Sequence, residues 1–208
     1  MECKLFFAEL AKGIYRISDS LHGPNSDGFS DAPGQATQNS YLILGEERAA
    51  LIDMAVDTPE LYSFACRLAN KPVTVLLTHG HPDHVYYLET AAEAWLHPAD
   101  HDLVKKGIPG ICPPVTGVSL HPLMNGQQID LGGRRLEVLH LPGHTMGSVL
   151  FLDRQTGTPC FPAGSPEAVR FLPSGSREPL ERSRLHNGIR TPPRCHRNSG
   201  SGCSCRCR

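Results

Sequence analysis

Three imidazoles and a carboxylate fall within six residues at His79-Gly80-His81-Pro82-Asp83-His84. Crowding imidazoles gains little in packing and becomes repulsive once any is protonated, so the group points to metal binding. Side chains alternate in an extended segment. His79 and His81 therefore share a side and reach one cation, while Asp83 and His84, at a turn, reach a second position. Nitrogen and carboxylate donors suit Zn2+ at roughly 2.0–2.2 Å, and also Fe or Mn where carboxylates bridge. A second element, Leu141-Pro142-Gly143-His144-Thr145, presents a further imidazole at a Pro-Gly turn. His144 completes three ligands for the first metal and leaves the fourth position to water, which separates a catalytic zinc site from a structural one.

These side chains need elements to hold them. Residues 73–77 form a continuous apolar run between Pro72 and Thr78, the pattern of a strand buried on both faces that ends at the first motif. Residues 134–140 and 148–152 read as strands on either side of the Pro-Gly turn, so His144 arrives at a strand end of its own. Further strands are expected at 13–18, 41–44, 49–53, 118–121 and 127–131, with a hairpin turn at 45–48 and turn residues at 153–157. Thr58-Pro59-Glu60 opens a helix whose apolar stripe of Leu61, Phe64, Ala65 and Leu68 ends near Asn70. Residues 85–94 read as a helix, 95–96 as a short strand and 98–106 as another helix begun by Pro98. Strands interleaved with helices, then a run of hairpins, predict a mixed α/β (α+β) domain with sheets covered by helices. Tyr86, Tyr87 and Trp95 are assigned to packing rather than to a substrate pocket. His22, His97, His101, His121 and His140 read as surface or supporting histidines; His140 is the one placed to support the site, because it shares the His144 loop.

HGHPDH after a hydrophobic strand, with PGHT about sixty residues later, resembles the metallo-beta-lactamase superfamily of metallo-hydrolases over residues 13–157. The resemblance implies a four-layer αββα sandwich with a one- or two-metal site at one edge of its sheets. It implies that His79, His81 and His144 hold the first metal, that Asp83 and His84 contribute to the second, and that Asp53 supports the metal loop through hydrogen bonds. It implies a metal-dependent hydrolase carrying one or two Zn2+ ions, in which a metal-activated water attacks a small-molecule ester, thioester, lactone or related substrate. Asp83 is the residue expected to orient that water and handle its proton.

The pattern departs from the superfamily after His144. A Gly-Asp pair ending the next strand, whose aspartate bridges both metals, and a late histidine for the second metal are both missing. Asp153 is the last aspartate in the chain and falls too early for the bridging role. Pro159 and Pro162 cannot both donate to a central ladder. The alternative expectation is a truncated, catalytically impaired relative that binds at most one metal. Its sandwich, incomplete in the C-terminal half, exposes a sheet edge and self-associates.

Composition marks the same boundary. The chain has 208 residues, the size of one ordinary domain, yet it holds 11 basic against 18 acidic residues through Thr158 and nine against three after it. Five of the eight cysteines lie in that last segment with many Arg, Pro, Ser and Gly. The expected organisation is a domain over residues 1–158 and a tail over 159–208, either a disordered divergent end or an out-of-frame translation of a GC-rich gene. In the tail, His186 and His196 read as solvated, and Cys203-Ser204-Cys205-Arg206-Cys207 makes a poor tetrahedral site. A net charge of −1, no basic motif with interleaved aromatics and no apolar span argue against nucleic acid and membrane partners. The N-terminus lacks the pattern of a signal peptide, so a cytoplasmic location is expected.

Overall fold

The computed structural model describes residues 5–19, 39–156 and 158–160, all within one compact unit. Expectations for residues 20–38, including His22, and for 161–208, including His186, His196 and the cysteine cluster, lie outside the described residues.

Two sheets make the frame. The larger runs in the order β1 (Leu5–Ala11), β2 (Ile14–Asp19), β3 (Ser40–Leu44), β4 (Ala49–Ile52), β5 (Val73–Leu76), β6 (Glu93–Leu96), β7 (Ser119–Pro122). Its first four strands pair antiparallel, whereas β4 to β7 pair parallel through crossovers. The smaller sheet is antiparallel, in the order β11 (Thr158–Cys160), β10 (Val149–Asp153), β9 (Arg135–His140), β8 (Gln128–Asp130). Pro159 thus sits in an edge strand of the described sheet, a position that spares it a second ladder.

Strand periodicity sorts the core into two layers. In β4, Ala49 and Leu51 face one way and join Val73, Val75, Leu77, Leu96 and the α1 (Leu61–Ala69) residues Leu61, Ala65 and Ala69. Ala50 and Ile52 face the other way and join Leu76, Leu136, Val138, Val149 and Phe151 between the sheets. The second helix, α2 (His101–Lys106), adds Val104 to the first layer. Among the described residues these are three of the four layers of an αββα sandwich: no helix covers the outer face of the smaller sheet. No described helix is long and apolar enough to cross a membrane.

A buried guanidinium staples the sheets together. Arg134 donates to the carbonyls of Lys12 (2.6 Å), Gly13 (3.1 Å) and Leu44 (2.9 Å) and pairs with the fully buried Asp153 at 3.5 Å. Beside it the β3–β4 turn meets the β8–β9 turn so closely that a Cβ on Gly45 would stand 2.1 Å from the Leu131 carbonyl oxygen. Arg134→Met removes the donors and strands the Asp153 charge, so stability is expected to fall by about 3–5 kcal/mol. A denaturant midpoint unchanged from wild type would contradict this account.

One expected element needs correction, and one strand lies outside the expected elements. Residues 85–94 form no helix: Val85 bridges to Met54, Tyr87 is left-handed (φ 49°), Leu88–Thr90 makes a single 3-10 turn, and β6 follows. Val85, Leu88 and Ala91 are buried at a spacing of three, which imitates a helical stripe, but the pairing to Met54 overrides local propensity. Strand β1 was not anticipated, because Phe6, Phe7 and Leu10 remain exposed and the segment lacks an alternating pattern.

Candidate metal centre

Parallel pairing brings the ends of β4, β5 and β6 to one sheet edge, and each end contributes to the site. Asp53 follows β4, Thr78 to His84 follow β5, and His97 to Asp100 follow β6. From the smaller sheet, the β9–β10 turn brings His144, and the two sheets touch there through Val149 N–H donating to the Thr78 carbonyl at 2.8 Å.

His79, His81 and His144 converge. One ligand nitrogen from each lies within 4.8 Å of the other two, and His81 Nδ1 is 3.0 Å from His144 Nε2. His79 is 1% exposed, its Nδ1 lies 3.1 Å from the Thr78 hydroxyl, and its buried Nε2 has no hydrogen-bond partner. A buried imidazole nitrogen without a partner costs about 1–3 kcal/mol unless something binds it, and a cation shared with His81 and His144 answers that need. The donor set therefore fits a zinc-class ion.

Electrostatics keep His79 and His81 in ligand form. Burial, together with the His84, His81 and His144 rings, outweighs the opposing Asp53 charge and lowers His79 to about 4. Burial and His144 lower His81 too, against Asp83 and Asp100. In the metal-free protein this has a sign. The unfolded chain takes up a proton near pH 6.5 that folded His79 refuses until about pH 4. The His79 contribution is thus fully present above pH 6.5 and declines as pH falls to about 4, by up to about 3 kcal/mol. Denaturant titrations of chelator-treated wild type and His79→Gln over that window should show a flatter acid limb in the variant; parallel limbs would refute the assignment.

Asp53, Asp83, His84 and His140 surround the three imidazoles. Asp53, 2% exposed and left-handed (φ 60°), accepts from Thr78 N–H at 2.7 Å and the Thr78 hydroxyl at 2.7 Å, and lies 2.9 Å from His84 Nδ1. Burial pulls the His84 imidazole down, but Asp53 outweighs it and leaves His84 raised. Asp83 stands in the 3-10 turn Pro82–His84, half-buried, with Oδ2 3.6 Å from His84 Nε2. The His84 ring lies 4.1 Å from that of His79. His140 Nε2 lies 2.9 Å from the Met146 carbonyl oxygen, and its ring stacks on His97 at 4.0 Å, so it braces the His144 turn. His101 reaches the Leu96 carbonyl, while His121 stacks on Trp95 and pairs with Glu93. Tyr86 and Tyr87, expected to pack, instead line an open cavity of about 690 Å³ with Pro82, Leu103 and Ile111.

One contributor escaped the sequence reading. Asp100 is 1% exposed and accepts from Gly80 N–H, the Thr145 hydroxyl and Gly147 N–H at 3.0, 2.6 and 2.8 Å. An aspartate two residues after a proline at a helix start looks like ordinary first-turn charge, so only tertiary contact identifies it.

A sequence model of the metallo-beta-lactamase superfamily matches residues 33–158. The chain belongs to the metallo-beta-lactamase superfamily. The beta-lactamase-like protein 2 homolog of Drosophila melanogaster is 32% identical over 121 residues, covering 54% of this chain and 41% of the fly protein. A hydroxyacylglutathione hydrolase of Xylella fastidiosa is 30% identical over 125 residues, covering 58% of this chain and 44% of that enzyme. The chain thus matches less than half the length of these curated relatives. Among solved structures, the BLEG-1 B3 metallo-beta-lactamase aligns at TM-score 0.51 and 23% identity over 62% of this chain and 66% of that one. A metallo-beta-lactamase from Cronobacter sakazakii aligns at 0.55 and 16% over 74% and 62%. At these identities the likeness is one of fold.

Proposed function

We propose that this superfamily member is a metal-dependent hydrolase of small ester, thioester, lactone or related substrates, with the ion held by His79, His81 and His144. The observation that carries the reading is the partnerless, buried His79 Nε2 converging with two further imidazoles. When bound, zinc supplies Lewis acidity and an activated water near neutral pH. The chain supplies the rest. The lowered His79 and His81 keep their rings neutral at physiological pH, the form that ligates. Asp83, on the exposed side of the turn, orients the attacking water and accepts its proton. Asp53 fixes Thr78 and His84, and through them the direction in which the motif leaves β5.

The test is a metal count on the full chain, followed by hydrolysis of an ester, a thioester and a lactone with and without chelator. A hydroxyacylglutathione belongs in the panel because the Xylella relative carries that substrate in its name. Turnover that vanishes with chelator and returns with zinc supports the reading; chelator-resistant turnover overturns it.

A second reading, a relative that binds at most one metal and turns over poorly, has its own observation. Among the described residues the second position offers only the Asp83 and His84 pair, and Asp153 is engaged by Arg134, Gln155 N–H and the Thr156 hydroxyl. Two tightly held zinc equivalents per chain would rule that reading out.

A further inference from the structure

We propose that Asp100 is a positioning residue that sets the separation of the two ligand-bearing loops, and so controls metal affinity without touching the metal; this rests on the metal reading above. Asp100 lies 20 residues from Gly80 and 45 from Thr145, on neither loop, yet its carboxylate is bonded to both. Oδ2 takes Gly80 N–H, between His79 and His81, together with the hydroxyl of Thr145, next to His144. Oδ1 takes Gly147 N–H, three residues beyond His144. The Thr145 hydroxyl is also 2.8 Å from Ser148 Oγ, which accepts from Thr145 N–H, so the His144 turn is closed on itself and anchored at Asp100.

The fit leaves no slack. A Cβ on Gly147 would lie 2.5 Å from Asp100 Cγ, and one on Gly80 would lie 3.0 Å from the Asp100 carbonyl oxygen. Glycine at both positions lets the two loops close on Asp100, the Gly147 loop against its carboxylate and the Gly80 loop against its backbone oxygen. Chemistry requires a carboxylate as well as closeness, because all three neighbours act as donors and two are fixed backbone N–H groups on different oxygens. In Asp100→Asn either amide orientation points an NH2 at one backbone N–H, so one loop must move away. A ligand triad split across those loops then loses its common point, and support of this kind is worth about 10- to 100-fold in metal affinity.

The experiment measures zinc affinity of the full chain by competition with a chromophoric chelator. Asp100→Asn should bind zinc about 10- to 100-fold more weakly. In chelator-treated protein, NOEs between the His81 and His144 ring protons should be present in wild type and absent in the variant. Asp153→Asn is the control: it also damages a buried carboxylate, the partner of Arg134, and should lower the melting temperature while zinc affinity stays at the wild-type value. Should Asp100→Asn fail to fold, Thr145→Val removes one donor, keeps both backbone donors and should weaken zinc several-fold. Wild-type affinity in Asp100→Asn or Thr145→Val, or equal weakening in Asp153→Asn, overturns the proposal. Absence of zinc binding by wild type would instead refute the metal reading, and the ring contacts of metal-free protein would still report on Asp100.

Discussion

Replacing His144 with alanine is expected to abolish tight zinc binding and to lower chelator-sensitive hydrolysis by on the order of 1000-fold or more, because two imidazoles cannot complete a catalytic zinc site. The choice of residue matters. His79 is 1% exposed, and its truncation would leave a cavity that confounds any loss of activity with loss of fold. His144 is exposed at a turn, so its removal should change the stability of metal-free protein by no more than about 0.5 kcal/mol. Metal content, turnover and the denaturant midpoint of chelator-treated protein, measured on one preparation, separate the two effects. Zinc retained at the wild-type level in His144→Ala would sink the assignment of the triad.

Asp53→Ala carries the second large effect, and it strikes the fold and the site together. It leaves Thr78 N–H, the Thr78 hydroxyl and His84 Nδ1 without their buried acceptor and places alanine in a left-handed conformation. At about 1–3 kcal/mol for each orphaned group, the loss should exceed about 3 kcal/mol, a large part of ordinary stability. The loss should also depend on pH. His84 is raised by Asp53, so its contribution is fully present below pH 6.5 and disappears as pH rises through the folded value. Chelator-treated Asp53→Ala should therefore fall further below wild type at pH 5.5 than at pH 8. A deficit that is equal at both values would remove His84 from the explanation.

How much of this was legible in the sequence depends on the range of the interaction concerned. The candidate ligands could be read because their chemistry is local: HGHPDH crowds its donors into one turn, and PGHT marks its own. Asp53 could be read because a strand end beside the metal loop has a recurring partner in the superfamily. Asp100 could not, since nothing within three residues distinguishes it from a helix-start acid; its role exists only once β6 lies beside β5 and the smaller sheet docks. Residues 85–94 show the reverse failure. Their apolar spacing suits a helix, but Met54 claims Val85 through N–H and carbonyl bonds on either side of it, and Tyr87 turns the chain away. The strand core was clear because Ala49 to Ile52 and Val73 to Leu77 are apolar on both faces, as strands between two layers must be.

His79 and His81 leave the larger sheet and His144 leaves the smaller one, at an edge where the sheets are also joined by the bond from Val149 to Thr78 and by those from Thr145 and Gly147 to Asp100. An ion on all three rings is therefore a clasp across the sandwich, closing a loop of more than sixty residues. With such an ion bound, folding and metal supply would become one equilibrium: above the dissociation constant, each tenfold rise in free zinc should add about 1.4 kcal/mol to the unfolding free energy. Zinc starvation would then expose this edge to proteolysis first, and the abundance of the protein in a cell would track the metal it holds.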